Sequence, residues 1–320
     1  MIFRVALAEL RKARFKKRFW VLLIVMGVLV PLLQVLAAYF ITRSVDGSSL
    51  DSGGNVSSAI AQNAATAFSL TRNFLGAALP FFILPIAAIT GSFLIGEERG
   101  FKMWKVILVA QPNRPGVLTG KFLAGVALLS MLILAAATSS AVIGFLANLI
   151  FFRVPLQGDW GTLLPLLLLQ CLVTAAPLAL SMLLSSLIAS PAMSLIGTVL
   201  LPSILEGIAL LSISSQLNQV TPLNAPFQAL KIQNLIQEIP RYFLTRNLNL
   251  GSGFAGSSAS GGLFGGGGGG FGSGGRSNPF NNLVSFSWSE IGWSVMVSAV
   301  YAAAFALLFW LAWRRRDVLD

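Results

Sequence analysis

The feature that most constrains this chain is a set of separated apolar blocks, each long enough to cross a membrane as a helix. Six such blocks occupy residues 19–41, 75–95, 122–152, 163–188, 192–214 and 291–313. About 20 helical residues are needed to cross a hydrocarbon core of about 30 Å. The sequence therefore predicts an all-α integral membrane fold with six transmembrane helices, in a single domain over residues 1–320.

The proportions of residue types agree with a membrane protein and disagree with a soluble one. Hydrophobic residues make up 55% of the 320 residues, and charged residues make up only 10%. A soluble globular domain carries about 25% charged residues. A soluble fold could not bury this much apolar surface.

Basic residues give the chain a formal charge of +11 and lie mainly beside the apolar blocks. They are concentrated in residues 1–18, in the loop between the second and third blocks, and at residues 314–316. Because cytoplasmic loops are rich in lysine and arginine, we expect both termini and that loop to be cytoplasmic, in a multi-pass protein of the plasma membrane. The basic residues would contact anionic membrane lipid, and nucleic acid is not an expected partner.

Two further helices are predicted to lie on the membrane surface. Residues 1–18 place Phe3, Ala6, Leu7 and Leu10 on one helical face, which predicts an interfacial helix on the inner leaflet. Before the last block, apolar residues recur at helical spacing and predict an amphipathic outer helix. These residues are Ile232, Leu235, Ile236, Ile239 and Phe243.

The glycine- and serine-rich tract 251–275 follows the predicted outer helix. Its side chains bury too little apolar surface to offset the entropy lost on ordering. We expect a flexible outer loop. A GxGxxG pattern occurs within the tract, but no strand precedes it and no helix follows directly, so a dinucleotide site is not predicted.

Sequence motifs of common enzymes are absent from the chain. Residues 116–121 (GVLTGK) have the wrong glycine spacing for a Walker A motif, and Phe122 stands where Ser or Thr is required. The chain has no histidine and one cysteine, Cys171, which excludes histidine-based triads, disulfides within the chain and cysteine metal sites. We expect no enzymatic activity, no bound metal and no cofactor on this chain.

The loop at residues 96–122 (GEERGFKMWKVILVAQPNRPGVLTGKF) carries the strongest functional signal. Phe101 and Trp104 share one side of an apparent short helix, which Pro112 and Pro115 terminate. One interpretation is a juxtamembrane loop whose charges only set topology. The other is a docking helix that transmits force from a cytoplasmic partner through aromatic anchors.

The order of these features resembles the permease subunits of type 2 ABC exporters over essentially the whole chain. The residues that carry the resemblance are the Gly-Glu-Glu-Arg sequence at 96–99, Asn113-Arg114 and Lys121. The resemblance implies that residues 1–18 form a connecting helix and that the loop is a coupling helix seated in the ATPase. It also implies two ATPase copies, which bind ATP and Mg, and a second permease copy or a related permease.

By position, this resemblance assigns contact with the ATPase, or its orientation, to six residues: Glu97, Glu98, Arg99, Phe101, Trp104 and Arg114. It also implies a translocation path between two permeases, lined by parts of the second and fifth spans. The glycine-rich tract departs from the family pattern, so the resemblance assigns it no role.

Glu206 is an acidic residue well inside the fifth apolar block. A carboxyl group in a bilayer is costly and is by default a functional candidate, so we expect Glu206 in the substrate path. The alternative is a structural carboxyl that is hydrogen-bonded between helices. Gln34 and Gln170 are better explained by helix-to-helix hydrogen bonds.

Two other function classes compete with an ATP-driven exporter. An ion-coupled secondary transporter would use Glu206 as its coupling carboxyl, although the two halves of the sequence show no inverted repeat. A non-transporting membrane scaffold would need neither Glu206 nor the docking loop. The sequence does not identify a cargo.

Overall fold

The computed structural model describes residues 2–48, 67–75, 79–96, 98, 114–152, 160–188, 190–219, 239–248 and 288–315. Regular structure in these residues is helical throughout, and they contain no strand. In chain order the helices are α1 (Ile2–Arg14), α2 (Lys17–Ile24), α3 (Val30–Ser48), α4 (Ala67–Asn73), α5 (Leu79–Gly91), α6 (Arg114–Ala147), α7 (Leu163–Val173), α8 (Ala175–Leu187), α9 (Pro191–Gln219), α10 (Leu244–Leu248) and α11 (Trp288–Arg315).

Short stretches of other helix types join or extend these helices. A π-helical turn, Val25–Leu29, joins α2 to α3 without a break. Further π-helical turns, Ser92–Gly96 and Asn148–Phe152, extend α5 and α6. Turns of 3₁₀-helix, Trp160–Thr162 and Ile239–Tyr242, precede α7 and α10.

Five helices in the described residues are long and apolar enough to cross a membrane. They are Lys17–Ala37, Pro115–Ile150, Leu163–Leu187, Pro191–Ala209 and Ile291–Trp313. These correspond to the first, third, fourth, fifth and sixth predicted spans. The all-helical, multi-pass membrane fold expected from the apolar blocks is therefore confirmed.

The second predicted span, 75–95, is only partly described. Residues 76–78 lie outside the described part of the chain, and the remainder contains a shorter apolar helix, Phe81–Gly96. Pro85 lies inside α5, which is tolerated in membrane helices when neighbouring groups satisfy the freed carbonyl. A layout with exactly six spans stays a prediction.

Helix α8 forms the centre of the bundle and packs against α5, α6, α9 and α11. Most of its side chains are buried, including Leu178 and Met182. Glycines allow its neighbours to approach closely. A Cβ on Gly91 of α5 would lie 2.7 Å from Ser181 Cβ, and one on Gly125 of α6 would lie 2.8 Å from Leu178 Cδ2.

Helix α9 begins with local signals that stop α8 from continuing. Ser190 Oγ accepts a hydrogen bond from the Met193 N–H at 3.5 Å, as an N-cap side chain does. Pro191 occupies the first turn, where its missing N–H costs nothing. The short connection allows α8 and α9 to pack against each other.

Helix α1 packs against the start of α6. Ala6 and Ala13 are buried there, and a Cβ on Gly120 would come within 2.8 Å of Val5 Cβ. Phe3 and Leu7 are instead exposed. The predicted apolar face of α1 is therefore divided between the bundle and the exterior, and its placement on a membrane surface stays a prediction.

The predicted outer helix is described only at its end. Ile239 lies in the 3₁₀ turn, and Phe243 lies between that turn and α10. Ile232, Leu235, Ile236 and the glycine-rich tract 251–275 lie outside the described residues.

Candidate functional site

Four charged side chains from three elements meet at one end of the bundle, and we call them the charged cluster. Glu9 and Lys12 lie on α1, Glu98 follows the π-helical extension of α5, and Lys121 lies near the start of α6. Lys121 Nζ is 2.5 Å from Glu9 Oε1 and 2.8 Å from Glu98 Oε1. Lys12 Nζ is also 2.8 Å from Glu98 Oε1.

Lys121 is the buried centre of the charged cluster. Its side chain is 3% exposed, and that of Glu98 is 4% exposed. A buried charge is tolerated only when it is paired and hydrogen-bonded. The three ammonium protons of Lys121 can be accounted for by Glu9, Glu98 and the Leu94 carbonyl, whose oxygen lies 3.4 Å away.

Glu98 is held ionised by its neighbours. Burial alone raises the pKa of the Glu98 carboxyl, but the ammonium groups of Lys121 and Lys12 outweigh it and hold that pKa below its ordinary value. Glu98 Oε2 is buried without a hydrogen-bond partner among the described residues. One oxygen of the carboxylate therefore carries both ion pairs.

The charged cluster joins α1 to both ends of the loop that the sequence singled out. Glu98 lies at the start of that loop and Lys121 near its end. Because both ion pairs with Lys121 are largely buried, they resist solvent screening more than surface pairs do. The described ends of the loop are therefore held to α1 by ion pairs.

The structure describes two of the six residues that the sequence assigned to contact with the ATPase. Glu98 lies in the charged cluster, and Arg114 is the first residue of α6, followed by Pro115 in the first turn. Glu97, Arg99, Phe101 and Trp104 lie outside the described residues.

Sequence reasoning missed two members of the charged cluster, Glu9 and Lys12. The available signal was that Glu9 is the only acidic residue among residues 1–18. It lies three residues before Lys12, a spacing at which side chains meet on a helix, and the structure places their charged groups 3.8 Å apart. Nothing in the local pattern pointed to Lys121 as a partner.

Glu206 contacts a segment that is distant in sequence. It lies on α9, is half-buried, and accepts hydrogen bonds from the Thr245 N–H at 3.1 and 3.2 Å. The Thr245 hydroxyl donates to Glu206 Oε2 as well. The carboxylate thus holds the first turn of α10. A role for Glu206 in a substrate path stays a prediction.

Other polar groups fasten the same segment, residues 239–248, to two further helices. Gln170 of α7 donates to the Leu248 carbonyl at 3.1 Å, and Tyr301 of α11 donates to the Tyr242 carbonyl at 3.1 Å. Arg241 lies over the Trp293 ring, 4.8 Å from its centroid. Residues 239–248 are therefore attached to α7, α9 and α11. Gln170 meets the expectation of a structural hydrogen bond.

The described residues contain no group of three or more His, Cys, Asp or Glu side chains that could hold a metal.

Comparison with known families gives one finding that covers nearly the whole chain. A family model described as "ABC-2 family transporter protein" matches residues 3–314. No curated protein and no solved structure matches the chain.

Proposed function

The chain belongs to the ABC-2 transporter family, and from this premise we propose that it is the permease subunit of an ATP-binding-cassette exporter. A multi-pass transporter permease follows from the family and from the five long apolar helices. The proposal adds the direction of transport and the coupling to a separate ATPase, which would bind ATP and Mg and hydrolyse the ATP.

The coupling would run through residues 97–121. The observation that carries this proposal is the charged cluster, in which Glu9 of α1 pairs with the buried Lys121 near the end of the loop, and Lys121 pairs with the buried Glu98 at its start. A loop that only set topology would need basic residues but no buried pairing. Phe101, Trp104 and Arg114, with Glu97 and Arg99, would contact or orient the ATPase.

The translocation path would form where two permeases meet. Both termini would be cytoplasmic, two ATPase copies would act on two permeases, and closure of the ATPases on ATP would move the coupling helices. Glu206 would stand beside this path. Its support is its position inside an apolar helix.

The test is whether the loop aromatics bind the ATPase. The permease carrying both Phe101→Ala and Trp104→Ala is purified with its ATPase and reconstituted in liposomes, and ATPase retention and ATP turnover are measured. We expect both to fall at least tenfold, because aromatic anchors dominate interface energies. Phe145→Ala, an exposed aromatic on α6, is the matched control. Equal retention and turnover in the double variant would overturn the proposed coupling.

The same preparation separates the ATP-driven exporter from an ion-coupled transporter. An ATP-driven permease leaves ATP turnover unchanged when ion gradients across the liposome are collapsed. A transporter driven through Glu206 would neither retain an ATPase nor respond to ATP, and a scaffold would show no nucleotide-dependent change.

A further inference from the structure

Residues 239–248 lie below the level at which the neighbouring membrane-spanning helices end. Their depth can be measured along α7, because Gln170 donates to the Leu248 carbonyl at 3.1 Å. Leu163 begins the apolar helix to which Gln170 belongs. At 1.5 Å per residue, Gln170 and its contact lie about 10 Å inside the end of that helix.

Helix α9 gives a similar depth from the other end of the bundle. Its apolar helix begins at Pro191, beside Gly96 and therefore at the end that carries the charged cluster. Glu206, which accepts hydrogen bonds from the Thr245 N–H, lies about 22 Å along α9 from that start. In a hydrocarbon core of about 30 Å this leaves about 8 Å to the far surface.

Helix α11 gives a third measure of depth. Tyr301 lies about 15 Å along this helix from Ile291, where its apolar part begins. The Tyr301 side chain leans back toward the helix N-terminus and donates to the Tyr242 carbonyl at 3.1 Å. All three helices therefore place residues 242–248 inside the hydrocarbon layer, and we call residues 239–248 the re-entrant segment.

Arg246 lies on the face of the re-entrant segment that points away from the bundle. Leu244, Asn247 and Leu248 are buried and Thr245 is half-buried, whereas Arg246 is exposed. Charged side chains at this depth face a water-filled cavity or other protein rather than acyl chains. Irregular backbone at membrane depth is restricted to the same surroundings. The face that carries Arg246 is therefore expected to meet water.

The exposed charge of the re-entrant segment is positive. It contains Arg241 and Arg246 and no acidic residue. Arg241 lies over the ring of Trp293, close to the end of the last apolar helix, which is the depth of lipid headgroups. The oxygens of Glu206 accept from Thr245. Arg246 thus places a cation deeper than Arg241, on a face directed away from the packed helices.

We propose that Arg246 lines the outer mouth of a water-filled translocation path and binds an anionic group of the cargo. This proposal deepens the proposed exporter function and rests on it. Carboxylate, phosphate and sulfate groups all fit, because a guanidinium presents its donors as a planar fork to such oxygens. Glu206 is then a positioning residue, which holds the segment that presents Arg246.

Spin labels test the surroundings of Arg246 without any cargo. Arg246→Cys, Leu168→Cys and Leu172→Cys are made singly in a Cys171→Ser chain; the two leucines are exposed and bracket Gln170 on α7. The labelled proteins are placed in liposomes with oxygen, which concentrates in lipid, or with a neutral nickel chelate, which stays in water. The ratio of nickel to oxygen relaxation should be about tenfold higher at position 246, because the hydrocarbon core excludes the chelate.

A second measurement tests the sign of the charge in the path. A label is attached at Tyr242→Cys, an exposed position of the re-entrant segment. Its relaxation by chromium(III) trioxalate, a trivalent anion, is compared with relaxation by the neutral nickel chelate. Arg246→Gln should lower this ratio about threefold, since one nearby charge acts on all three charges of the anion. Arg11→Gln, which removes an exposed basic residue of α1, is the matched control and should leave it unchanged.

Three outcomes would overturn the proposal. Oxygen-dominated relaxation at position 246 would place Arg246 against lipid, where it would reach headgroup phosphates instead of cargo. Nickel-dominated relaxation at positions 168 and 172 would place the re-entrant segment at the membrane surface. An anion ratio that Arg246→Gln does not change would remove the charge selection. None of these measurements needs the ATPase, so their failure is distinct from a failure of ATPase retention.

Discussion

At the residue scale, Lys121 is the member of the charged cluster whose substitution should destabilise the protein most. Its ammonium group is buried and neutralises two carboxylates that lie on different elements. Lys12 also pairs with Glu98, but its side chain is 41% exposed. The structure therefore separates two lysines that the sequence presents as equivalent basic residues near a predicted cytoplasmic surface.

Replacing Lys121 with Met should destabilise the protein strongly. The change leaves Glu98 and Glu9 with buried or partly buried carboxylates that have lost their shared cation, and removal of one partner of a buried pair costs about 3–5 kcal/mol. Lys12→Met should cost about 1 kcal/mol or less because water screens that pair. Thermal unfolding in detergent measures both, with Lys121→Arg as the charge-preserving control. Equal losses for the two Met variants would contradict this ranking.

The lowered pKa of Glu98 predicts how stability depends on pH. A carboxyl whose pKa is lower in the folded state stabilises the fold above its ordinary pKa, and this contribution is lost as pH falls through the folded value. The unfolding midpoints of wild type and Glu98→Gln should therefore differ most near neutral pH. The difference should shrink below about pH 4.5, where the carboxyl begins to protonate in the unfolded chain. A difference that stays constant between neutral and acidic pH would refute this assignment.

At the element scale, the helices were predictable because apolar length is a local property. Each of the five long helices can be read from its own residues. The contacts that attach one element to another could not be predicted from local residues. Glu9 and Lys121 are 112 residues apart, and Glu206 and Thr245 are 39 residues apart. Neither pair leaves a periodic signal, so the sequence identified Glu206 as unusual but not its partner.

The segment at residues 239–248 should loosen when Glu206 is replaced by Gln. Glu206→Gln replaces one of the two oxygens that accept from Thr245 with an amide nitrogen that cannot accept, and loss of about 1 to 1.5 kcal/mol corresponds to roughly tenfold faster local opening. Hydrogen exchange of the Leu244–Leu248 amides measures the opening. Ser203→Ala is the control, because that hydroxyl on α9 donates to its own helix at the Val199 carbonyl. Unchanged exchange in Glu206→Gln would show that the contact does not hold the segment.

At the scale of the whole molecule, the bundle has a buried centre and an apolar exterior. Helix α8 is enclosed by four other helices, whereas α9 and α11 expose large apolar side chains such as Leu205 and Leu307. Apolar exteriors of this kind suit contact with lipid or with another membrane subunit. The basic residues beside the apolar blocks predict the orientation of the bundle.

The predicted orientation can be tested by chemical labelling. Cys171 is the single cysteine, so a Cys171→Ser chain provides a cysteine-free background. Single cysteines at Arg4 and Asp317 should react with a membrane-impermeant maleimide only from the cytoplasmic side. Cysteines at Ser52 and Ser257, in the predicted outer segments, should react only from the opposite side. Labelling of the Arg4 and Asp317 cysteines from opposite sides would require an odd number of spans, and labelling of each set from the side opposite to the expected one would require the reverse orientation.

The charged cluster also has a consequence for the order of events during synthesis. Lys121 is made 112 residues after Glu9, a delay of about 6 to 22 seconds at 5–20 residues per second. The ribosome therefore finishes the first span, and delivers the second, before the ammonium group that α1 requires exists. Until then Glu9 lacks its buried partner, so the docking of α1 should belong to a late stage of biogenesis and should require α6 to have been made.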